Sequence, residues 1–451
     1  MRAAPYPAVL VVTFALVITS PGFSATYHVS NDGLDQNDGL SPQSAWATLD
    51  RVNQATLQPG DKVLFRRNNV WRGQLTPHSG SEVGHVAYAA YGEGEKPLLL
   101  SSISKSKSGD WIDEGNGIWS AGNLAVDVGN IILGNEEACA VKKWQAADLK
   151  QDNDYWYDKA AHKVKLRSAG NPANRYARIE CAMDRHGISQ NGRHHVTYEN
   201  LMVKYAGAHG IGGDNTHHII VRQCDFGFIG GGEMTLHGKP VRFGNGVEFW
   251  GAAHDNLVEG CRLWEIYDAA LTDQSSGPKT QQYNIVYRDN VIWNSEYSFE
   301  YWNRPEESET HDIYFVNNTC VNAGHGWGHT QRSDPSGRHL CFWNNVAPVH
   351  NIVIRDNIFF EARQNAFYAP GWSRAEIGAL VMDHNCWYQA KGEMILLKGA
   401  SYTMAQFAKY QAEWTKEPHS ICVIPEFVNA AHHDFRLATE SPCRGIGSAV
   451  K

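Results

Sequence analysis

From residue 195 onward the apolar and polar positions fall into one recurring phrase: a short β-type run, a polar pair, an asparagine and an apolar residue. It reads HVTYENLMV at 195–203, IIVRQCDF at 219–226, NLVEGCRL at 256–263 and NIVYRDNVI at 284–292. It returns as DIYFVNNTC at 312–320, NIVIRDNIF at 351–359 and ALVMDHNCW at 379–387. Aligned on the asparagine, the phrases place Asn200, Cys224, Cys261, Asn290, Asn318, Asn357 and Asn385 in one column, at intervals of 24, 37, 29, 28, 39 and 28 residues. The runs are strand-like, and no amphipathic helix separates them. Such repeats predict a parallel β-helix, each rung lying ~4.8 Å above the one before. A propeller blade needs about 40–45 residues and four strands, more than most of these intervals allow. Stacked amides can hydrogen-bond from rung to rung, which suits an asparagine column, and Cys224 and Cys261 fit it as small buried thiols.

A second strand in each rung aligns on its large apolar residue. The segments are AHGIGGDN (208–215), GNGVEFWG (244–251), DAALTDQS (268–275), EYSFEYWN (296–303), GHGWGHTQ (324–331) and QNAFYAPG (364–371). Ile211, Val247, Leu271, Phe299, Trp327 and Phe367 are expected to face the core. Alternation then turns their neighbours outward. The residues just before them are small: Gly210, Gly246, Ala270, Ser298, Gly326 and Ala366. Those just after are Gly212, Glu248, Thr272, Glu300, Gly328 and Tyr368. Trp250, Gln274 and Trp302 lie two places further on, and Asp268 and Glu296 stand three places before the core residue. Asp273 faces inward by the same rule. The expectation is an open groove with a floor of small side chains and walls of carboxylates and indoles, a shape suited to pyranose rings.

The fold class expected is all-β: a single-stranded right-handed parallel β-helix. A cap helix near Ser44–Asn53 would cover its N-terminal end, and a short C-terminal helix is read near 402–415. Residues 1–25 read as a signal peptide, 26–180 as cap and early rungs with a β insertion, 181–395 as the regular coil and 396–451 as its closure. The signal consists of Arg2, an apolar run from Ala8 to Ile18 and small residues ending at Ala25, and it predicts a secreted or periplasmic protein. No later segment reaches membrane-spanning length.

Several stretches resemble a known superfamily. These are YHVSNDGLDQNDGLSPQSAWATLDRVN with LQPGDKVLFRRNNVWRGQL near the start, HVAYAAYGEGEKPLLL (85–100), DYWYDKAAHKVKL (154–166), and PEFVNAAHHDFRL with SPCRGIG (425–447). They are similar to segments of the secreted right-handed parallel β-helix superfamily of polysaccharide lyases and glycoside hydrolases. The resemblance implies an enzyme acting on a polysaccharide. It does not choose among hydrolysis, elimination and epimerisation, since fold does not give function. The Asp-Asp pair with GHG and RxK of pectin-type hydrolases is absent, as is the DPH signature of alginate epimerases.

Charge and composition narrow the partners. The chain carries a net charge of −8 and no basic run, which argues against nucleic acid. A monomer acting on a polysaccharide or oligosaccharide is expected. Nine cysteines in an oxidising compartment allow disulfides, and Cys422 with Cys443 would staple the final segment. Glycoside hydrolysis needs two carboxyl groups in opposite protonation states. Glu248 and Glu300, two rungs apart in one column, would be ~9.6 Å apart at the backbone. Asp268 completes the acids read as catalytic, and His329 is the candidate base. Trp250, Trp302, Glu296, Gln274, Arg304 and Arg332 are read as substrate-binding.

Hydrolysis would need no cofactor. Elimination on a uronate-containing glycan would recruit Ca²⁺ and a base, with His325, His329, Arg332, Arg338, Lys239 and Lys279 as the available partners. The glycine-rich setting of His325 and His329 lacks the helix that presents a zinc-binding pair. A third possibility is a glycan-binding protein without catalysis. Acids outnumber bases on the outward columns, and hydrolysis leads for that reason.

Overall fold

The computed structural model describes residues 24–448 apart from 237, 305, 306, 345 and 346. The apolar run read as an export signal lies outside the described residues. Among them no helix is long and apolar enough to cross a membrane.

Short alternating strands cannot bury their apolar sides alone. The chain solves this by coiling, with three strands per rung around one interior. In one rung these are Gln281–Arg288, Val291–Trp293 and Tyr297–Asn303; in the next they are Glu309–Val316, Thr319–Ala323 and Arg338–Phe342. The pairing is parallel and in register: Ile285 meets Ile313, Ile292 meets Cys320, and Phe299 meets Leu340. Repetition builds three sheets of ten, ten and nine strands, here the first, second and third in their order around a rung. This is a parallel β-helix. Its core is made of columns such as Ile219, Ile285, Ile313 and Ile352 in the first sheet, and Phe226, Leu263, Ile292 and Phe359 in the second, all fully enclosed.

The corner between the first and second sheets explains the sequence repeat. Asn200, Gln223, Asp289, Asn317, Asp356 and His384 take left-handed backbone conformations there, with φ between 52° and 58°. Short polar side chains tolerate this region best. The next residue turns inward to form the ladder. Asn290 Nδ2 donates to Asn318 Oδ1 (3.0 Å), Asn318 Nδ2 to Asn357 Oδ1 (3.1 Å), and Asn357 Nδ2 to Asn385 Oδ1 (3.1 Å). Each amide also donates to a carbonyl of the rung below or accepts from a backbone N–H, so none of these buried groups is stranded. Cys224 and Cys261 continue the column as free buried thiols. Its first place belongs to Leu201, because Met202 pairs with Asp225; Asn200, expected there, is the corner residue instead.

Between Leu98–Leu100 and Met202–Lys204, which are neighbours in the second sheet, the chain leaves the coil. It forms largely antiparallel sheets with a separate core around Tyr155, Leu166 and Cys181. The helix read over Ser44–Asn53 is shorter, running from Leu49 to Asn53 with Thr48 as its cap. Trp46 is drawn instead into a bridge with Val29. Leu49 and Val52 enter the main core. The later helix spans Phe407–Trp414. Cys443 is bonded to Cys386, not to Cys422. Cys422 lies in a strand stacked on Cys386–Tyr388 and is free, while the closing segment folds back so that Gly447 N reaches Asp356 O at 2.8 Å.

The ladder makes a prediction. Asn318→Ala leaves Asn290 N and Nδ2 without the acceptor they share and Asn357 Oδ1 without one of its two donors. Each stranded buried group costs about 1–3 kcal/mol, so the urea midpoint of N318A should fall clearly below that of the parent. An unchanged midpoint would mean that the amides do not hold the rungs.

Candidate active site

Parallel register sets the geometry of the third sheet's outward face. Glu248 pairs with Thr272 and Thr272 with Glu300, placing the two glutamates in one column two rungs apart. Trp250, Gln274 and Trp302 form the next outward column, and the two indoles meet edge to face at 5.2 Å. Arg304 lies over the Trp302 ring at 4.7 Å. The face is not the open groove expected. Glu248, Gln274 and Glu300 are each only 6 % exposed, so the acids are recessed beneath half-buried tryptophans.

Each recessed carboxyl is positioned by neutral donors. Asn245 Nδ2 donates to Glu248 Oε2 at 2.6 Å. His209 Nδ1 accepts from Asn245 N at 2.9 Å, which leaves the proton on Nε2, 3.2 Å from Glu248 Oε1. Burial pushes His209 down to about 3, so the ring is neutral and adds no charge to offset the carboxylate. Gln274 Nε2 and Trp343 Nε1 donate to the two oxygens of Glu300, each at 2.5 Å. With no cation among the described residues in hydrogen-bond contact, desolvation dominates. It raises Glu248 to about 7 against a weaker opposing pull from Asn245. It raises Glu300 to about 8, aided by the nearby Asp268 charge and opposed by Trp343. Thr272 lies between them with its hydroxyl unpartnered by protein.

A second group of charges flanks the recess. Asp268 is raised by burial, lowered by Arg332 and raised again by Glu296. Arg332 Nη1 reaches Asp268 Oδ1 at 3.1 Å, and its guanidinium lies 5.1 Å from the Tyr267 ring and 5.6 Å from that of Tyr297. Glu296 is enclosed. Its Oε1 accepts from Ser336 N (2.6 Å) and Gly337 N (2.9 Å), and its Oε2 meets His329 Nδ1 at 2.9 Å. Glu296 and His329, read as ligand-binding and catalytic, thus anchor the 329–337 loop to the coil. Of the other cations considered, His325 is exposed and Lys279 pairs with Glu307 at the surface. Arg338 packs 3.4 Å over the Tyr368 ring.

Two parts of the sequence reading are overturned. GHGWGHTQ is a turn ending in a 3-10 segment at His329–Gln331, and the strand of that rung is Arg338–Phe342. Leu340, not Trp327, stacks between Phe299 and Phe367. Trp327 is held outside by Glu265, which accepts from its backbone N (2.8 Å) and its indole N–H (2.9 Å). The small residues do not floor a groove either. They sit at a bend and face inward: a Cβ on Gly246 would lie 2.8 Å from Leu263, and one on Gly210 2.9 Å from Phe226. Ser298 is buried on His339 at 2.9 Å. The outward place belongs one residue earlier, to Asn245, Ala269, Tyr297 and Arg338. Asp273 does face inward, donated to by Tyr287 at 2.6 Å and raised by burial to about 7.

Sequence reasoning missed His209, Asn245 and Trp343. The alternation in RHLCFW was the available signal for Trp343, three residues beyond Leu340. A cleft of about 590 Å³ opens beside Asp268 and Arg332, walled by Tyr267, Arg242, Lys143 and Trp144. Arg242 fastens that wall through Gly231 O, Gln331 Oε1 and Gly129 O, at 2.7–2.9 Å.

No family model matches the chain, and no curated protein matches it. Solved structures that resemble it include pectate lyase Pel9A, with a TM-score of 0.48 and 11 % identity over 93 % of this chain and 91 % of that one. A glycoside hydrolase matches with a TM-score of 0.46 and 10 % identity over 83 % of this chain and 95 % of the other. A GH136 lacto-N-biosidase from Eubacterium ramulus gives 0.42 and 13 % identity over 88 % and 67 %. Likeness at this level concerns the fold alone.

Proposed function

We propose that this chain is a carbohydrate-active enzyme that hydrolyses a glycosidic bond with inversion at the anomeric carbon. The observation that carries the reading is the pair Glu248 and Glu300, recessed in one column and both raised by burial well above the ordinary glutamate value, to about 7 and about 8. Two strand spacings separate their backbones by ~9.6 Å, near the upper end of the roughly 6.5–9.5 Å expected between inverting carboxyl groups. Glu300, the more basic, gives its proton to the departing glycosidic oxygen. Glu248 takes the proton of the attacking water, whose oxygen bonds to the anomeric carbon as the old C–O bond breaks. The Thr272 hydroxyl is placed to hold that water between them. Trp250 and Trp302 offer ring faces to a sugar at the mouth.

Elimination on a uronate has one observation in its favour. Arg332, among two tyrosine rings beside Asp268, could neutralise a substrate carboxylate. Product masses separate the readings, because hydrolysis adds one water in total and elimination adds none and leaves an unsaturated end. A Ca²⁺ ion serving elimination would draw on the same acids, of which Asp268 is already paired with Arg332.

Three outcomes test hydrolysis. E248Q and E300Q should each lower kcat by about 10²–10⁴-fold, and NMR of the first product should show the anomer opposite to the substrate. The acid limb of kcat/KM should lie near pH 7, where Glu248 ionises, and the alkaline limb near pH 8, where Glu300 loses its proton. Full activity in both variants would end the proposal.

Stability should move the other way. Both folded pKa values exceed the ordinary glutamate value of 4.5, so their contribution is complete below it and is lost as pH rises through about 7 and about 8. At pH above 8, E248Q and E300Q should therefore unfold at higher temperature than the parent. At pH 4 the difference should vanish.

A further inference from the structure

Away from the recessed acids, the first sheet carries a paired column of ring and polar residues. The rings of His194, His217, His254, Tyr283 and His311 stack in sequence, with centroids 4.7–5.1 Å apart and planes within 7°. Beside each ring stands a residue with left-handed backbone: His195, His218, Asp255, Asn284 and Asp312, with φ of 51–56°. In the later rungs the pairing is a plain hydrogen bond to carboxylate: His254 Nδ1 lies 2.7 Å from Asp255 Oδ2, and His311 Nδ1 2.8 Å from Asp312 Oδ2. In the first two rungs both members are imidazoles. His194 and His195 bring their Nδ1 atoms to 3.1 Å, and His217 and His218 bring theirs to 2.9 Å. His195 stacks on His218 at 4.3 Å, so the two double-imidazole rungs converge.

We propose that His195, His217 and His218 form a binding site for a late first-row divalent cation of the Zn²⁺ type. One nitrogen from each lies within 4.8 Å of the others. Two nitrogens each ~2.0–2.1 Å from zinc stand roughly 2.9–3.4 Å apart for bond angles between a right angle and the tetrahedral value. The His217–His218 separation falls in that range. Imidazole is a preferred ligand of zinc, copper and nickel, and carboxylate neighbours complete such sets. Glu82 Oε1 lies 3.2 Å from His195 Nε2, beside the three-nitrogen group and outside it. His195 is buried while His217 and His218 are half-buried, so the group is open on one side to solvent. The ion would tie two successive rungs together and stabilise the coil at its first regular turns, since a ligand that binds only the folded state favours it. A hydrogen bond shared within each imidazole pair is the competing account, and it predicts no metal affinity.

The test is Zn²⁺ alone, followed by equilibrium dialysis and by thermal unfolding of the full chain. Two other groups could take up zinc, His218 with His254 and Asp255, and the more exposed Asp383, His384 and His419, so variants at all three places are needed. H195N keeps a residue that tolerates the left-handed backbone, and H217Q changes a position with ordinary strand geometry; neither touches the His218, His254 and Asp255 group, and either suffices if the other fails to fold. The expected result is tight zinc and a raised unfolding temperature in the parent, in H254N and in H419N, with both lost in H195N and H217Q. The proposal is overturned if the parent takes up no zinc, or if H195N or H217Q binds it as the parent does.

Discussion

Asn290, Asn318, Asn357 and Asn385 donate to one another through a chain of amides fully closed from water. A buried amide has to find partners, and here they are the same residue one rung away and the backbone groups of the neighbouring rungs. The ladder therefore fixes rung spacing and register together. A slip of one residue would strand every amide and turn each core column outward. Once register is fixed, a residue's depth in the coil follows from its place in the rung, and like residues come to stand over like. Phe299 over Leu340 and His217 over His254 are consequences of this constraint.

The same constraint gives the recessed acids their character. A glutamate on an ordinary exposed strand face would keep a normal proton affinity. Glu248 and Glu300 sit on an outward column, but both are buried there, with Trp343 against Glu300, and their hydrogen-bond donors are neutral: Asn245, Gln274 and the indole of Trp343. Position and reactivity thus have separate origins. Register places the carboxyls, and the covering side chains raise their pKa. Arg332 is kept off Glu300 by its engagement with Asp268 and the carbonyl of Tyr267.

The coil was legible because its signal is repeated: alternation within strands and an asparagine or buried cysteine at a fixed place in most rungs. The one-residue error at Asn200 arose where asparagine suits two neighbouring positions, the left-handed corner and the buried ladder. The HH, HD and YN pairs preceding the repeat were in plain view, yet their stacking depends on register and could not be weighed from residue type. GHGWGHTQ misled because it offered a large apolar residue between small ones, the pattern of its neighbours, while the true strand RHLCF lay beyond a loop. Single-sequence alternation cannot tell how long such a loop is. Nor could it show which outward residues the 329–343 segment covers, so the enclosure of Glu296 and the recessing of Glu300 came only with the fold.

The central claim is that Glu300 and Glu248 hold their protons into the neutral range because they are desolvated together. The most direct measurement is difference infrared titration of the carboxyl band, parent against E300Q and E248Q. The account predicts one carboxyl titrating near pH 8 that disappears in E300Q, and one near pH 7 that disappears in E248Q. If both glutamates instead ionise near the ordinary value of 4.5, the pair is solvated and the account is wrong.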